Sequence, residues 1–447
     1  AEARAAAAEA RQQQQQQQQP QPPPHDLEVL PPPPPPPPMQ TTATTTAAAA
    51  RAAQAPAQQQ RPPAAAARNG VAGWAADGGV ARGLAAAAAN PQLAKTLDAS
   101  SGLQDNYSVL GVLGKGSYGE VRLAVHKLSK LRAAVKSISR QKLDAKLRKR
   151  VDAEVKLHRQ LRHPHVVRLL EVITSASTIC LCMQYAPGGT LRELLDTKGA
   201  LAEPQARRYF RQMCGALHYC HETMRVVHRD LKLDNMLLDA HDNILLADFG
   251  FADAIGPGPG PGRKLKLLCG SPHYSAPEIF AQHEYYGPQV DLWSLGVLLY
   301  TLLNAHFPFQ AASMEALGKK VMRGKWDRPL NASQQATALV QQMMVVAAPK
   351  RHTLNEVIAH AWVLDGAARA DDVIVTRGAE RVAWDERVAA KLDAMGCSAA
   401  LVKFHVNQDA HNHVTAAYEL MLDDHLSSQD AAAPGGGGGG VGAAGEA

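Results

Sequence analysis

Eight residues, His228-Arg229-Asp230-Leu231-Lys232-Leu233-Asp234-Asn235, constrain this chain more tightly than any other stretch. They put an acid, a base and an amide into one short loop. A carboxylate such as Asp230 can take a proton from a hydroxyl and orient that hydroxyl as a nucleophile. Lys232 can neutralise charge on a group in transfer, and Asn235 can hold a metal ion. Asp248-Phe249-Gly250 follows the strand-like Ile244–Ala247. Asp248 adds a second metal-binding group of the type Mg²⁺ prefers, an oxygen ligand used alongside substrate phosphates. Ala276-Pro277-Glu278 comes next. Each tripeptide can arise by chance; the ordered set does not.

Upstream, Leu113-Gly114-Lys115-Gly116-Ser117-Tyr118-Gly119-Glu120-Val121 carries a G-x-G-x-x-G-x-V pattern. Glycines let a backbone turn tightly and bring its N–H groups up to phosphate oxygens. A dinucleotide-binding loop would need a helix directly after it. The strand-like Gly119–Ala124 follows instead, so a hairpin over phosphates is expected. Lys136 lies on the next strand pattern, Ala133-Ala134-Val135-Lys136. A buried cation there can bind two phosphates. It needs an acid to hold it, and Glu154 in the following amphipathic stretch is the candidate.

Residues 1–106 are of low complexity, with glutamine at Gln12–Gln19 and proline at Pro31–Pro38. Such a segment buries too little apolar surface to offset its ordering entropy, so a disordered leader is expected. The tail over 427–447 reads the same way. Between them, alternating β-branched strand patterns from Tyr107 give way at Glu203 to helical spacing, seen at Ala206, Phe210, Met213, Leu217 and Cys220. The expectation is an α+β chain with a sheet-rich part followed by a helix-rich part. The net charge of +6 is modest, and no basic tail reads as a nucleic-acid arm. No apolar run is long enough for a membrane span. The six cysteines form no CxxC pair. An intracellular chain, cytoplasmic with the nucleus as the second choice, is expected, and it would keep them as thiols.

Taken in order, these motifs resemble a complete eukaryotic protein kinase domain over Tyr107–Trp362. The resemblance implies a bilobal fold, with ATP and Mg²⁺ held between a sheet-rich N-lobe and a helical C-lobe. It implies protein substrates, and Lys232 marks the serine/threonine type. Asp230 and Lys232 would be catalytic, and Asn235 and Asp248 would hold the metal. Residues 113–121, Ala134, Lys136 and Glu154 would bind ATP, together with Met183 as gatekeeper and Gln184 and Ala186 as hinge contacts. Asp291 and Trp293 match the helix that anchors the catalytic loop, and Arg351 matches the partner of Glu278. Leu161-Arg162-His163-Pro164, Cys269-Gly270-Ser271-Pro272 and His360-Ala361-Trp362 are similar to the AMP-activated and sucrose-nonfermenting related kinases. Beyond a linker over 363–386, residues 387–426 resemble the ubiquitin-associated-like three-helix domain of that group. Such a domain implies an intramolecular regulator, and separate regulatory subunits are the other partner class.

Three departures stand out. Leu267 occupies the position of the activating threonine, and no Ser, Thr or Tyr lies between Phe251 and Cys269. His158 replaces an apolar residue that would stack with Phe249, which is expected to weaken the active arrangement. Thr190 replaces an acid near the hinge. A catalytically silent kinase-fold scaffold is the rival reading, but it would have no use for Lys136, Glu154, Asp230, Asn235 and Asp248 together.

Overall fold

The computed structural model describes residues 102–116, 119–256, 262–266, 269–326, 332–379 and 381–432. The rest of the expected leader and tail lies outside them, as do Ser117, Tyr118 and Leu267.

Five antiparallel strands form the first layer: β1 (Tyr107–Gly116), β2 (Gly119–His126), β3 (Arg132–Ser139), β4 (Leu169–Thr174) and β5 (Thr178–Gln184). Their order is β1-β2-β3-β5-β4. The glycine pattern falls at the β1–β2 turn, where Gly114 faces Val121 and Gly116 faces Gly119. Helix α1 (Ala145–His158) starts at Asp144, whose carboxylate accepts the Leu147 N–H at 2.6 Å. It buries Val151, Glu154 and His158, which recur at helical spacing. The basic Lys146, Arg148 and Lys149 lie on its exposed side.

The second layer is helical. It comprises α2 (Leu191–Lys198), α3 (Glu203–His218), α4 (Gly287–Asn304), α5 (Met314–Arg323) and α6 (Gln334–Met343). Helix α4 is apolar along nearly its whole length and is buried accordingly. Trp293, Phe210 and Trp362 fill the shared core. A short strand pair, Met236–Leu238 with Ile244–Leu246, lies beneath the cleft.

Two expected boundaries need correction. The leader was expected to run unstructured through residue 106, but Leu103–Asn106 form a helical turn. Asn106 is fully buried and donates to Glu171 Oε1 at 2.9 Å. That bond engages one oxygen of a buried carboxyl group whose pKa burial raises to about 7. The tail was expected to lose structure from residue 427, yet the last helix continues to Ala432. Ser428 Oγ closes its turn on the Asp424 carbonyl at 2.7 Å.

The C-terminal segment forms α7 (Glu386–Ala394), α8 (Ala399–Asn407) and α9 (His413–Ala432). Their core of Val388, Leu392, Leu401, Val402 and Tyr418 also takes Leu128 and Leu131 from the β2–β3 turn. From α9, Ala416 and Leu420 enter the cluster of Tyr107, Ala124 and Val135 behind the sheet. Glu419, 1% exposed, lies 3.5 Å from Arg162 Nη1 and 3.9 Å from Arg168 Nη1. Asp409 pairs with Arg162 at 2.5 Å, and Asp423 pairs with Arg168. His126 and His413 meet ring to ring, with Nε2 and Nδ1 2.8 Å apart. The linker is a docked strap. Ile374 is buried, the Val375 carbonyl meets His163 at 2.9 Å, and the Ala379 N–H reaches the Arg162 carbonyl at 3.0 Å.

Candidate active site

Lys136 is 6% exposed on β3, and its ammonium lies between two carboxylates. Glu154 Oε1 is 3.0 Å away and Asp248 Oδ1 is 2.8 Å away. Burial opposes the charge on Lys136, but Glu154 and Asp248 outweigh it and hold the ammonium above the ordinary lysine value. Burial likewise opposes ionisation of Asp248, and Lys136 overrides that to keep it below the usual carboxylate range. A strand, a helix and a loop far apart in sequence thus share one buried charge cluster.

The stretch His228–Asn235 is held from beneath by Asp291 of α4. Its Oδ1 accepts the Arg229 N–H at 2.8 Å, and its Oδ2 accepts the His228 N–H at 2.9 Å and His221 Nε2 at 2.8 Å. Arg229 has φ 66° and Asp248 has φ 63°. Left-handed backbone at such residues costs of order 1–3 kcal/mol and persists only where surroundings over-determine it. Buried Asp291 and the Lys136 cluster provide that restraint.

Asp230 is 3% exposed, and both its oxygens are engaged. Lys232 Nζ lies 2.6 Å and Asn235 Nδ2 3.2 Å from Oδ2. Asn235 Nδ2 also reaches the Asp230 carbonyl at 2.9 Å. Ser271 Oγ donates to Oδ1 at 3.0 Å. Gly270 permits this approach. Its φ is 100°, and a Cβ there would lie 2.7 Å from the Arg229 carbonyl oxygen. The Tyr274 hydroxyl accepts the Leu233 N–H at 3.2 Å. Asp230, Lys232, Asn235, Asp248, Lys136 and Glu154 therefore fall at one cleft between the layers.

Around this cleft, Ala134 pairs in register with Met183 on β5, and Gln184 and Ala186 follow at the strand's end. Leu113, Gly114, Lys115, Gly116, Gly119, Glu120 and Val121 belong to the β1–β2 hairpin. Leu113 is 46% exposed. Asn235 and Asp248 offer an amide and a carboxylate, a hard oxygen donor set that fits Mg²⁺.

His158 does not disrupt the stack. Its ring centroid is 5.4 Å from Phe249, which in turn is 5.0 Å from His228. Burial pushes its pKa down to about 4, so the ring is neutral at pH 7. Its Nε2–H donates to the Val167 carbonyl at 2.8 Å. It thus acts as an aromatic spacer with its one donor satisfied. Thr190 caps α2, accepting the Glu193 N–H at 3.1 Å. Arg351 grips Glu278 with two bonds of 2.9 and 3.1 Å. Asp253, Ser271 and His221 also touch this framework, although residue type and spacing did not single them out. Each acts through a partner remote in sequence.

Comparison with known proteins gives the same picture. The family model described as "Protein kinase domain" matches residues 107–363. The chain is 34% identical over 353 residues to the serine/threonine-protein kinase SIK3 homolog of Danio rerio, covering 77% of this chain and 28% of that protein. It is 33% identical over 336 residues to the serine/threonine-protein kinase SIK1 of Rattus norvegicus, covering 72% and 42%. The chain therefore spans less than half the length of either relative. No described helix is long and apolar enough to cross a membrane. The chain belongs to the protein kinase family.

Proposed function

We propose that this member of the protein kinase family transfers the terminal phosphoryl group of ATP to serine and threonine hydroxyls of other proteins. The observation that carries the reading is the Asp230 cluster: a buried carboxylate with Lys232 on one oxygen and a serine hydroxyl, Ser271, on the other. A substrate hydroxyl can take the position of such a donor. Its oxygen then bonds to the γ-phosphorus as the bond from phosphorus to the β–γ bridging oxygen breaks. The hydroxyl proton goes to Asp230, and ADP leaves. Lys232 offsets negative charge on the phosphoryl oxygens during transfer.

Lys136, held by Glu154, binds the ATP phosphates. The hairpin Leu113–Val121 covers them, while Ala134, Met183, Gln184 and Ala186 receive the adenine. Asn235 and Asp248 would hold Mg²⁺, which would supply positive charge to offset that of the phosphates. The described cysteines are free thiols, as the cytoplasm or nucleus would keep them, and we assign the chain there. Helices α7–α9 would act as an intramolecular regulator of the catalytic region.

The test is peptide phosphorylation by the purified chain with Mg-ATP. General-base action is worth about 10²–10⁴-fold. Asp230→Asn should lower kcat by that order while ATP still binds. Near-normal turnover by that variant would refute the assignment.

A further inference from the structure

We propose that Asp253 performs, as a permanent carboxylate, the task an activating phosphate would perform, so that the catalytic loop is set without phosphorylation of this segment. The inference rests on the proposed kinase activity and concerns how that site is kept in order.

Phosphate on an activation segment normally works by giving a new anion to an arginine, which orders the segment. This chain retains the arginine, Arg229, directly before Asp230. It has no residue between Phe251 and Cys269 that can carry a phosphate ester. Arg229 is 7% exposed, and a guanidinium so buried requires a counter-charge.

Asp253 provides one. Its Oδ2 lies 3.2 Å from Arg229 Nη2. Arg229 Nε donates to the Phe251 carbonyl at 2.6 Å, so the same guanidinium is fixed to two points just after Asp248-Phe249-Gly250. The other carboxylate oxygen of Asp253 pairs with Arg263 and accepts the Ala254 N–H at 2.9 Å. Arg263 closes back through its N–H to the Ile255 carbonyl at 2.8 Å and through Nε to the Ala254 carbonyl at 3.1 Å. Asp253 thus joins two arginines remote in sequence, Arg229 and Arg263. Residues 253–254 also pair with Val226–Val227, immediately before the catalytic loop. One carboxylate therefore links the loop that bears Asp230, the segment after Asp248 and Arg263.

A carboxylate carries one negative charge where a phosphate carries about 1.5 to 2. It can make a bidentate, charge-assisted contact with arginine, though with fewer acceptor oxygens. The expected result is a constant activity that phosphatase does not remove. Asp253 is a positioning residue here. It touches no reacting atom and acts through Arg229.

The experiment uses the full chain after phosphatase treatment, assayed on a peptide library with Mg-ATP. Wild type should transfer phosphate. Asp253→Asn, which keeps the shape but not the charge, should lower kcat by roughly 5- to 150-fold, the span typical of coupling between two sites. KM for ATP should change little, while the melting temperature falls because Arg229 loses its counter-charge. Asp253→Glu should recover part of the loss. Arg229→Gln should lower kcat comparably, and the double variant should fall no further than the weaker single variant. Unchanged kcat in Asp253→Asn, or additive losses in the double variant, would overturn the inference. Wild type that is idle after phosphatase and active after an upstream kinase would overturn it too, while leaving the kinase reading intact. Wild type idle in both states would overturn both.

Discussion

Glu419 of α9 is 1% exposed and faces two guanidinium groups of the catalytic region, Arg162 and Arg168. Glu419→Gln keeps the volume and removes the charge. Removing one partner of a buried ion pair costs about 3–5 kcal/mol when the other is left bare. Neither arginine is left bare here, since Asp409 pairs with Arg162 and Asp423 with Arg168. Asp409 is more than half exposed, so its compensation is screened, and the cost settles near 2–3 kcal/mol. Unfolding entropy of about 2.1 cal/mol/K per residue, over a folded body of roughly 300 residues, gives about 0.6 kcal/mol/K. The expected fall in melting temperature is therefore about 3–5 °C. Thermal denaturation followed by tryptophan fluorescence and by loss of phosphoryl transfer would measure it. The two transitions should move together, because α9 packs on the sheet that carries Lys136. A variant melting within about 1 °C of wild type would refute the reasoning. So would a fall in the fluorescence transition that leaves inactivation unmoved.

Two other perturbations give defined outcomes. His158 has its pKa pushed down to about 4 by burial, against about 6.5 in the unfolded chain. Between these values the unfolded state holds the extra proton, so stability is present above pH 6.5 and is lost as pH falls towards 4. His158→Leu should flatten that dependence by up to about one proton, read from denaturant midpoints between pH 4.5 and 7, while His163 and His413 keep their own share. Gly270→Ala introduces a Cβ 2.7 Å from the Arg229 carbonyl at φ 100°. It should shift the Ser271–Asp230 contact and cost about 1–3 kcal/mol, measured as lower kcat and a lower melting temperature.

The grouping of the cleft residues was legible in the sequence because its parts come in short contiguous blocks. Asp230, Lys232 and Asn235 share one loop, so their spacing alone reports their proximity. Lys136 and Asp248 do not, and their 2.8 Å contact follows from the fold that brings strand and loop together. Asp291 stood out only through the family resemblance, since an acid in an apolar helix does not itself reveal its three hydrogen bonds to the loop and its flank. Asp253 gave no signal because its meaning lies in Arg229 and Arg263. His158 was misleading for a physical reason. Residue type suggests polarity, whereas a buried neutral imidazole with one satisfied donor packs as an aromatic. The leader boundary failed because composition cannot report that Asn106 meets the buried Glu171 on a strand 65 residues away.

The sharing of side chains between α7–α9 and the sheet has an evolutionary consequence. Leu128 and Leu131 belong to the core of the C-terminal helices, while Ala416 and Leu420 belong to the core of the sheet. A segment with interlocked packing is not inherited as an interchangeable cassette. Replacing α7–α9 by the matching stretch of a relative would leave mismatched volumes at these positions and mismatched charges at Arg162 and Arg168. Substitutions on the two sides must therefore be accepted in pairs. Among homologues, residues 128, 131, 162 and 168 should covary with residues 416, 419, 420 and 423, as they would within a single domain.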